Sequence, residues 1–231
     1  MAKHGKKYRK VVEHLAPGKS FGLTEAVEFL KKNSFTKFDQ TAEIAFRLGV
    51  DPAKSDQSVR GSVSLPHGTG KDVRVIVFAS GPAADSAREA GADEVGFQEL
   101  IDKVKGGWVD FDIAIATTDA MGEVRKLGKV LGPRGLMPNP RAGTVTEDTA
   151  SAVKQFKAGR VEFKMDKSGN VNIPFGKLSF DAAMLTENGK AVIDAVLAAK
   201  PQAVKGIYVK KVTVSSTMGP GLPLEARELS A

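Results

Sequence analysis

The side chains best placed to do chemistry in this sequence are cations set among glycines and prolines. The stretch RKLGKVLGPRGLMPNPR carries Arg125, Lys126, Lys129, Arg134 and Arg141 and no acid. Its glycines and prolines predict an extended loop after a short helix, with the backbone held open so that the cations can track a polyanion. Two smaller constellations set a cation or a small polar group beside a large apolar one: Lys37-Phe38 and Thr217-Met218-Gly219. RNA recognition uses this mixture, because an aromatic or Met side chain packs on a sugar or base while small groups let the backbone approach. The alternative for Phe38 and Met218 is a place in a core, the usual fate of such residues at a strand edge.

Other chemistries are poorly supplied. The sequence has no Cys, which excludes a disulfide framework, a thiolate zinc site, an iron-sulfur cluster and a cysteine nucleophile. His4, His14 and His67 lack metal-ligand spacing. Gly68-Thr69-Gly70-Lys71 resembles the end of a phosphate loop, yet Leu65 stands where the first Gly belongs, Asp72 replaces Ser/Thr, and a strand follows where a helix is needed. No G-x-G-x-x-G follows the apolar run Val73 to Ala79, only Ser80-Gly81-Pro82. No G-x-S-x-G occurs, and Asp110 and Asp112 at a strand end read as a solvated cap. Neither a cofactor nor a metal nor an enzymatic activity is expected. Two competing functions stay open at this point: a nucleotide-dependent enzyme built on the middle of the chain, and a general basic chaperone or nucleoid protein.

The charge distribution favours a polyanion partner. The chain of 231 residues has a net charge of +7. Residues 1–67 hold 12 Lys and Arg against 7 Asp and Glu, residues 68–159 hold 12 against 13, and residues 160–231 hold 10 against 7. Both flanks are therefore basic and the middle is neutral, the footprint of phosphate binding by counterion release. The apolar runs are too short to span a bilayer, and the basic start is not followed by the apolar core of a secretory signal, since Glu13, His14, Pro17 and Lys19 intervene. A cytoplasmic protein without membrane contact is expected.

The elements that must position these residues come in two kinds. In the flanks, apolar and polar residues alternate, as in Ala42, Ile44, Phe46 and Leu48, in Val59, Val63 and Leu65, and in Val161, Phe163 and Met165. The last of these is followed by a hairpin turn at Lys167 to Asn170 into Val171, Ile173 and Phe175. Such strands predict an antiparallel sheet with one covered face. A helix from about Asp181 to Ala199 precedes a last strand near Ile207 to Ser215. Near the start, Tyr8, Val11, Val12 and Leu15 form an apolar helix stripe, with Lys3, Lys6, Lys7, Arg9 and Lys10 on the other faces and Pro17-Gly18 as the stop. A second helix covers about Leu23 to Lys32. The middle instead has near-continuous apolar runs, Val73 to Ala79 and Phe111 to Ala116, a weaker Glu94 to Gly96, and helices near Ala83 to Ala90 and Gln98 to Lys105, which is the pattern of a parallel α/β sheet. The fold class expected is α/β in two domains. Residues 1–67 plus 160–231 form a discontinuous antiparallel α+β domain, split β-α-β-like, and residues 68–159 form an inserted Rossmann-like domain. Two glycine-containing joints predict relative motion of the two.

Several stretches together carry a family resemblance: KFDQT, SDQSVRGSVSLPHGTGK, AGADEVG, LGPRGLMPNP and STMGPG. In this order they are similar to the family of large-subunit ribosomal protein one of bacteria, the protein of the mobile stalk beside the tRNA exit site. The likeness runs along nearly the whole chain, and only the tail from about Leu222 matches no pattern. The resemblance implies an RNA site in the discontinuous domain at Lys37, Phe38, Thr41, Glu43, Thr217, Met218 and Gly219, with an extension to Lys167 and Ser168. It also implies binding of large-subunit rRNA, movement of the stalk with release of exit-site tRNA, repression of the protein's own operon through its mRNA, and a single copy per ribosome. The basic stretch, through Arg125, Lys126, Lys129, Arg134 and Arg141, is the candidate for the tRNA contact.

Overall fold

The computed structural model describes residues 5–15 and 18–225, leaving aside the side chains of Ser55 and Arg141. Lys3, His4 and Pro17, which belong to the expected basic helix and its stop, lie outside the described residues. The chain begins with helix α1 (Lys6–Glu13), helix α2 (Leu23–Lys32), strand β1 (Thr41–Leu48) and strand β2 (Arg60–Ser64). The middle supplies β3 (Val75–Phe78), α3 (Pro82–Glu89), β4 (Glu94–Gly96), α4 (Gln98–Lys105), β5 (Ile113–Ala116), α5 (Met121–Val124), α6 (Gly128–Leu131) and α7 (Thr149–Lys157). The last part holds β6 (Arg160–Lys164), β7 (Asn170–Lys177), α8 (Ala182–Ala198), β8 (Val209–Ser216) and β9 (Leu222–Pro223). Contacts divide the chain into two compact units, one ending at Gly70 and resuming at Val161, the other spanning Lys71–Arg160.

In the first unit a four-stranded sheet runs in the order β7-β1-β8-β9, with all neighbours antiparallel. Ala42, Ile44, Phe46 and Leu48 alternate inward along β1. They meet Leu23, Ala26, Val27 and Leu30, which recur at helical spacing on α2, and Leu185, Val192 and Val196 of α8. Both helices thus cover one side of the sheet. At about 25 cal/mol per Å² of apolar surface removed from water, this core is the main source of the unit's stability.

Three details of this unit depart from the sequence expectations. The turn at Lys167 to Asn170 forms, with the Asp166 N–H donating to Asn170 O at 2.8 Å. It does not join a paired hairpin, because β6 pairs with β2 in a separate ribbon and β7 with β1. The period-two pattern predicts a strand but not its partner. The tail contributes the edge strand β9, where Pro223 is tolerated because its missing N–H falls at the rim of the sheet. Finally, Val12 is 38% exposed and only Val11 of the α1 stripe is fully buried. The helix ends at Glu13, and Leu15, just past its end, still packs partly buried against the core.

The second unit has a three-stranded parallel sheet, β4-β3-β5. Val75, Ile76, Val77 and Phe78 are all buried. Ile76, Phe78, Ala114 and Ala116 pack on one side against Leu100, Ile101 and Val124, while Val75, Val77 and Ile115 pack on the other against Ala87, Val153 and Phe156. This is the mixed α/β fold class anticipated. The expectation for the basic stretch is corrected: Arg125–Leu127 form a 3-10 turn that runs directly into α6, and Leu127 and Leu131 are buried. Gly128 and Gly132 read as loop breakers in the sequence, but burial of Leu127 and Leu131, one turn apart, overrides their weak helix propensity.

Candidate nucleic-acid interface

The candidate residues of the first and last parts of the chain meet where β1 begins and β8 ends. The Thr41 N–H donates to Thr217 Oγ1 at 3.1 Å, the Thr217 N–H donates to Thr41 O at 3.1 Å, and Thr217 Oγ1 donates to Thr41 O at 3.3 Å. Residues 176 positions apart are thereby fixed side by side. Around this clasp Phe38 is 54% exposed and Met218 is 51% exposed, so neither is a core residue. Lys37 and Glu43 are also exposed, Glu43 just beyond a register shift between β1 and β7.

Two residues that sequence reasoning missed hold the site together. Gln40 is buried, and its Oε1 accepts the Met218 N–H at 2.9 Å while its Nε2 donates to Ser34 Oγ at 2.9 Å. Lys177, opposite Thr41 in the β1–β7 register, donates from Nζ to Thr41 Oγ1 at 2.9 Å. An ammonium has only donors, so Thr41 Oγ1 is the acceptor there and its own proton stays free for an outside partner. Thr217 is the reverse: its proton is committed to Thr41 O, leaving it a lone pair to offer. One hydroxyl that gives and one that accepts are a fitting pair for a ribose 2′-hydroxyl, which is both donor and acceptor.

Gly219 has a local reason of its own. A Cβ at this position would lie 2.3 Å from Ser216 Oγ and 3.4 Å from Leu30, so any other residue there must displace the Ser216 hydroxyl. Beside it, Met218 joins Gly5, Lys6, Lys7, Tyr8 and Phe35 around an apolar depression of about 380 Å³.

Lys167 and Ser168 are not part of this cluster. They sit exposed in the turn before β7, whose first residue pairs with Arg47, whereas its last pairs with Thr41. Six residues of strand separate the two ends, about 20 Å at about 3.4 Å per residue. The turn itself is stiff, because Asp166 Oδ1 accepts from the N–H groups of Asn170 and Ser168 at 2.8 and 2.7 Å. Those bonds, with that of Asn170 the strongest, hold the Asp166 carboxyl below its usual range.

The remaining candidates lie in the second unit. Arg125, Lys126, Lys129 and Arg134 are exposed. Lys126 reaches Glu123 at 2.6 Å, an acid immediately before the basic stretch, while Arg134 sits in a tight turn closed by the Gly135 N–H donating to Gly132 O at 3.1 Å. The side chain of Arg141 lies outside the described residues. The phosphate-loop-like Lys71 is engaged with Asp112 at 2.6 Å, and Arg74 with Asp110 at 2.5 Å. Arg74 draws the Asp110 carboxyl below its usual range. Burial opposes ionisation of Asp112, but Lys71 and the Arg74 N–H outweigh it, so this group too is held low. Both acids keep solvent contact, Asp110 largely exposed, and Asp112 also accepts the Arg74 N–H, so the solvated cap expected is joined by a local ion-pair cluster. Among the described residues no group of three or more His, Asp or Glu could hold a metal ion, and His67 lies 2.6 Å from Glu187.

Comparison with known proteins agrees on one relationship. Residues 30–220 match the model of the ribosomal protein L1p/L10e family. The chain is also 56% identical over 226 residues to the large ribosomal subunit protein uL1 of Beutenbergia cavernae, covering 98% of this chain and 95% of that protein.

Proposed function

Since the chain belongs to the ribosomal protein L1p/L10e family, we propose that the rim around Thr41 and Thr217 is its binding site for large-subunit rRNA. A large-subunit ribosomal protein is structural and not an enzyme, and it resides in the cytoplasmic ribosome. Lys37 neutralises phosphate, while Phe38 and Met218 pack on sugar or base faces. Thr41 donates to, and Thr217 accepts from, 2′-hydroxyls, and Glu43 accepts from a 2′-hydroxyl or a base amino group. The observation that carries this reading is the clasp of Thr41 with Thr217, which leaves two large apolar side chains exposed beside one cation. The discontinuous unit is accordingly the RNA-binding domain.

The same rim binds an mRNA segment that mimics the rRNA site, which represses the protein's own operon. The inserted unit meets the exit-site tRNA through Arg125, Lys126, Lys129, Arg134 and Arg141, and stalk movement accompanies release of that tRNA. A single copy acts per ribosome, and no cofactor enters.

The test is binding of the full chain to a stalk rRNA fragment, to the same sequence as DNA and to a scrambled RNA, titrated across salt. The rRNA should win at every salt concentration. Phe38→Ala should weaken it roughly 5- to 150-fold, the range for removing one aromatic stacking platform of about 1–3 kcal/mol, and Met218→Ala should weaken it by less, since a thioether packs without a ring face. Equal binding to all three nucleic acids that vanishes with salt would reduce the rim to a nonspecific cation patch.

A further inference from the structure

Sulfur in this chain is confined to six methionines, since there is no Cys. Met1 lies outside the described residues. Met165 is buried in the core of the first unit, and Met121 and Met137 pack partly buried against the core of the second. Met184, on α8, is also partly buried. Among the described residues only Met218 has an exposed thioether, at 51%. Its backbone is held from behind. The Met218 N–H donates to Oε1 of the buried Gln40 at 2.9 Å, and the next residue, Gly219, is packed closely against Ser216 and Leu30. The main chain therefore cannot carry the side chain away from the rim. Beside it, Tyr8 and Phe35 wall the depression that Met218 also lines.

We propose that Met218 is a modification site, at which a peroxide oxidises the thioether to the sulfoxide and so switches off RNA binding at the rim. The proposal rests on the rRNA site proposed above and adds its regulation. In the reaction a sulfur lone pair attacks one oxygen of hydrogen peroxide, the O–O bond breaks and an S–O bond forms. The sulfur gives up two electrons, the peroxide is reduced, and its second oxygen leaves as water with both protons. A methionine sulfoxide reductase supplied with a dithiol reverses the step: the oxygen departs as water and the dithiol becomes a disulfide. Three features select Met218. Oxidation follows access, and the chain has no thiol to compete for the oxidant. At this place the side chain packs as an apolar group, and a sulfoxide puts a strong dipole there, which is costly to cover without a hydrogen-bond partner. The sulfoxide also forfeits the sulfur–aromatic attraction open to a thioether near Tyr8 and Phe35. The hydroxyls and the ammonium of the rim are inert to peroxide, so one contact is lost and the others stay. Bound RNA covers Met218, which makes the free chain the sensitive form. An oxidising cell would thus release the proposed mRNA target while assembled ribosomes keep their copy.

The experiment exposes the full chain to dilute hydrogen peroxide, maps oxidised methionines by mass spectrometry over time, and measures affinity for a stalk rRNA fragment and a scrambled RNA. Met218 should gain an oxygen ahead of Met121, Met137, Met165 and Met184. Affinity for the rRNA should then fall at least about fivefold, the low end for covering an unpaired polar group. Sulfoxide reductase with a dithiol should restore it, and the rRNA fragment present during exposure should slow oxidation of Met218. Met218→Leu keeps an apolar side chain of similar bulk without the sulfur. It should bind the rRNA nearly as well as the wild type and lose nothing on exposure. Full affinity with Met218 completely oxidised would overturn the switch, as would an equal loss in Met218→Leu, or oxidation of Met218 no faster than that of the partly buried methionines. In each of those cases the rim still stands. An untreated wild type with no preference for the rRNA over the scrambled RNA would overturn the rim itself, and the switch with it.

Discussion

Along β1 every second residue stays at least partly exposed, whereas β3 is buried at each of its four positions. The antiparallel sheet uses one side for its core and keeps the other open. The parallel sheet is sandwiched, with Ile76 and Phe78 on one side and Val75 and Val77 on the other, each against its own helices. A sheet enclosed on both sides has no surface left for a large ligand, so recognition in the second unit falls to loops and short helices such as the basic segment after α5. In the first unit the sheet itself is available. The electrostatics divide the same way: acids and bases of the second unit largely pair locally, as in Lys71 with Asp112, Arg74 with Asp110 and Lys103 with Glu94, whereas in the first unit Arg47 on β1 stands opposite Lys211 on β8, like charge against like.

The hardest strain on this contrast comes from the core of the enclosed sheet. Phe78→Ala should destabilise the second unit by about 3–5 kcal/mol, through reduced burial and the cavity left behind. Trp108 is the chain's single Trp and lies in that unit, so its fluorescence should report unfolding at lower denaturant concentration. Affinity for the stalk rRNA fragment should stay within about twofold, as the proposed contacts lie elsewhere. A parallel loss of RNA binding would show that the two units do not act separately.

A smaller effect separates the units by pH. Burial pushes the Tyr208 hydroxyl up to about 12, where it donates to Val196 O. The folded state thus binds this proton more tightly than the unfolded chain, whose tyrosine titrates near 10. The stabilisation is complete below pH 10 and is lost as pH rises from 10 to 12, on the order of 2–3 kcal/mol in all. The second unit contains no tyrosine. Far-ultraviolet circular dichroism should reveal alkaline weakening that Trp108 fluorescence does not share, and Tyr208→Phe should make that weakening shallower.

The mildest change tests where the second unit meets its partner. Arg134 is exposed in a turn, so Arg134→Ala should alter stability by less than about 0.5 kcal/mol. It should leave rRNA affinity unchanged and lower tRNA occupancy of the ribosomal exit site. Unchanged occupancy would remove Arg134 from the proposed tRNA contact.

Legibility in the sequence followed the range of the interactions involved. The span Thr41 to Leu48 was readable to the residue, because alternation is local, and so was the contrast between one-sided and two-sided strands. Pairing was not: nothing in the sequence places β6 beside β2 and parts it from β7. The two-residue β9 is too short to show any period, and Gly128 with Gly132 disguised a helical segment whose signal was Leu127 and Leu131 one turn apart. At the candidate site, residue type and position left Phe38 and Met218 undecided between a core and an interface, and the family resemblance, with no help from spacing, singled them out. Gln40 and Lys177 went unread, since they act on residues 178 and 136 positions away. Only the fold makes them neighbours.

The pairing of β1 with β7 and β8 also sets a timetable for synthesis. β1 ends at Leu48, but the strand that completes the clasp ends at Ser216. At about 5–20 residues per second, the central strand waits roughly 10–30 seconds for its neighbours, while the contiguous second unit can fold in the interval. Thr41 and Thr217 cannot meet until nearly the whole chain has been made. A prematurely terminated chain therefore lacks the Thr41–Thr217 clasp, and the proposed RNA site is complete only in a finished molecule.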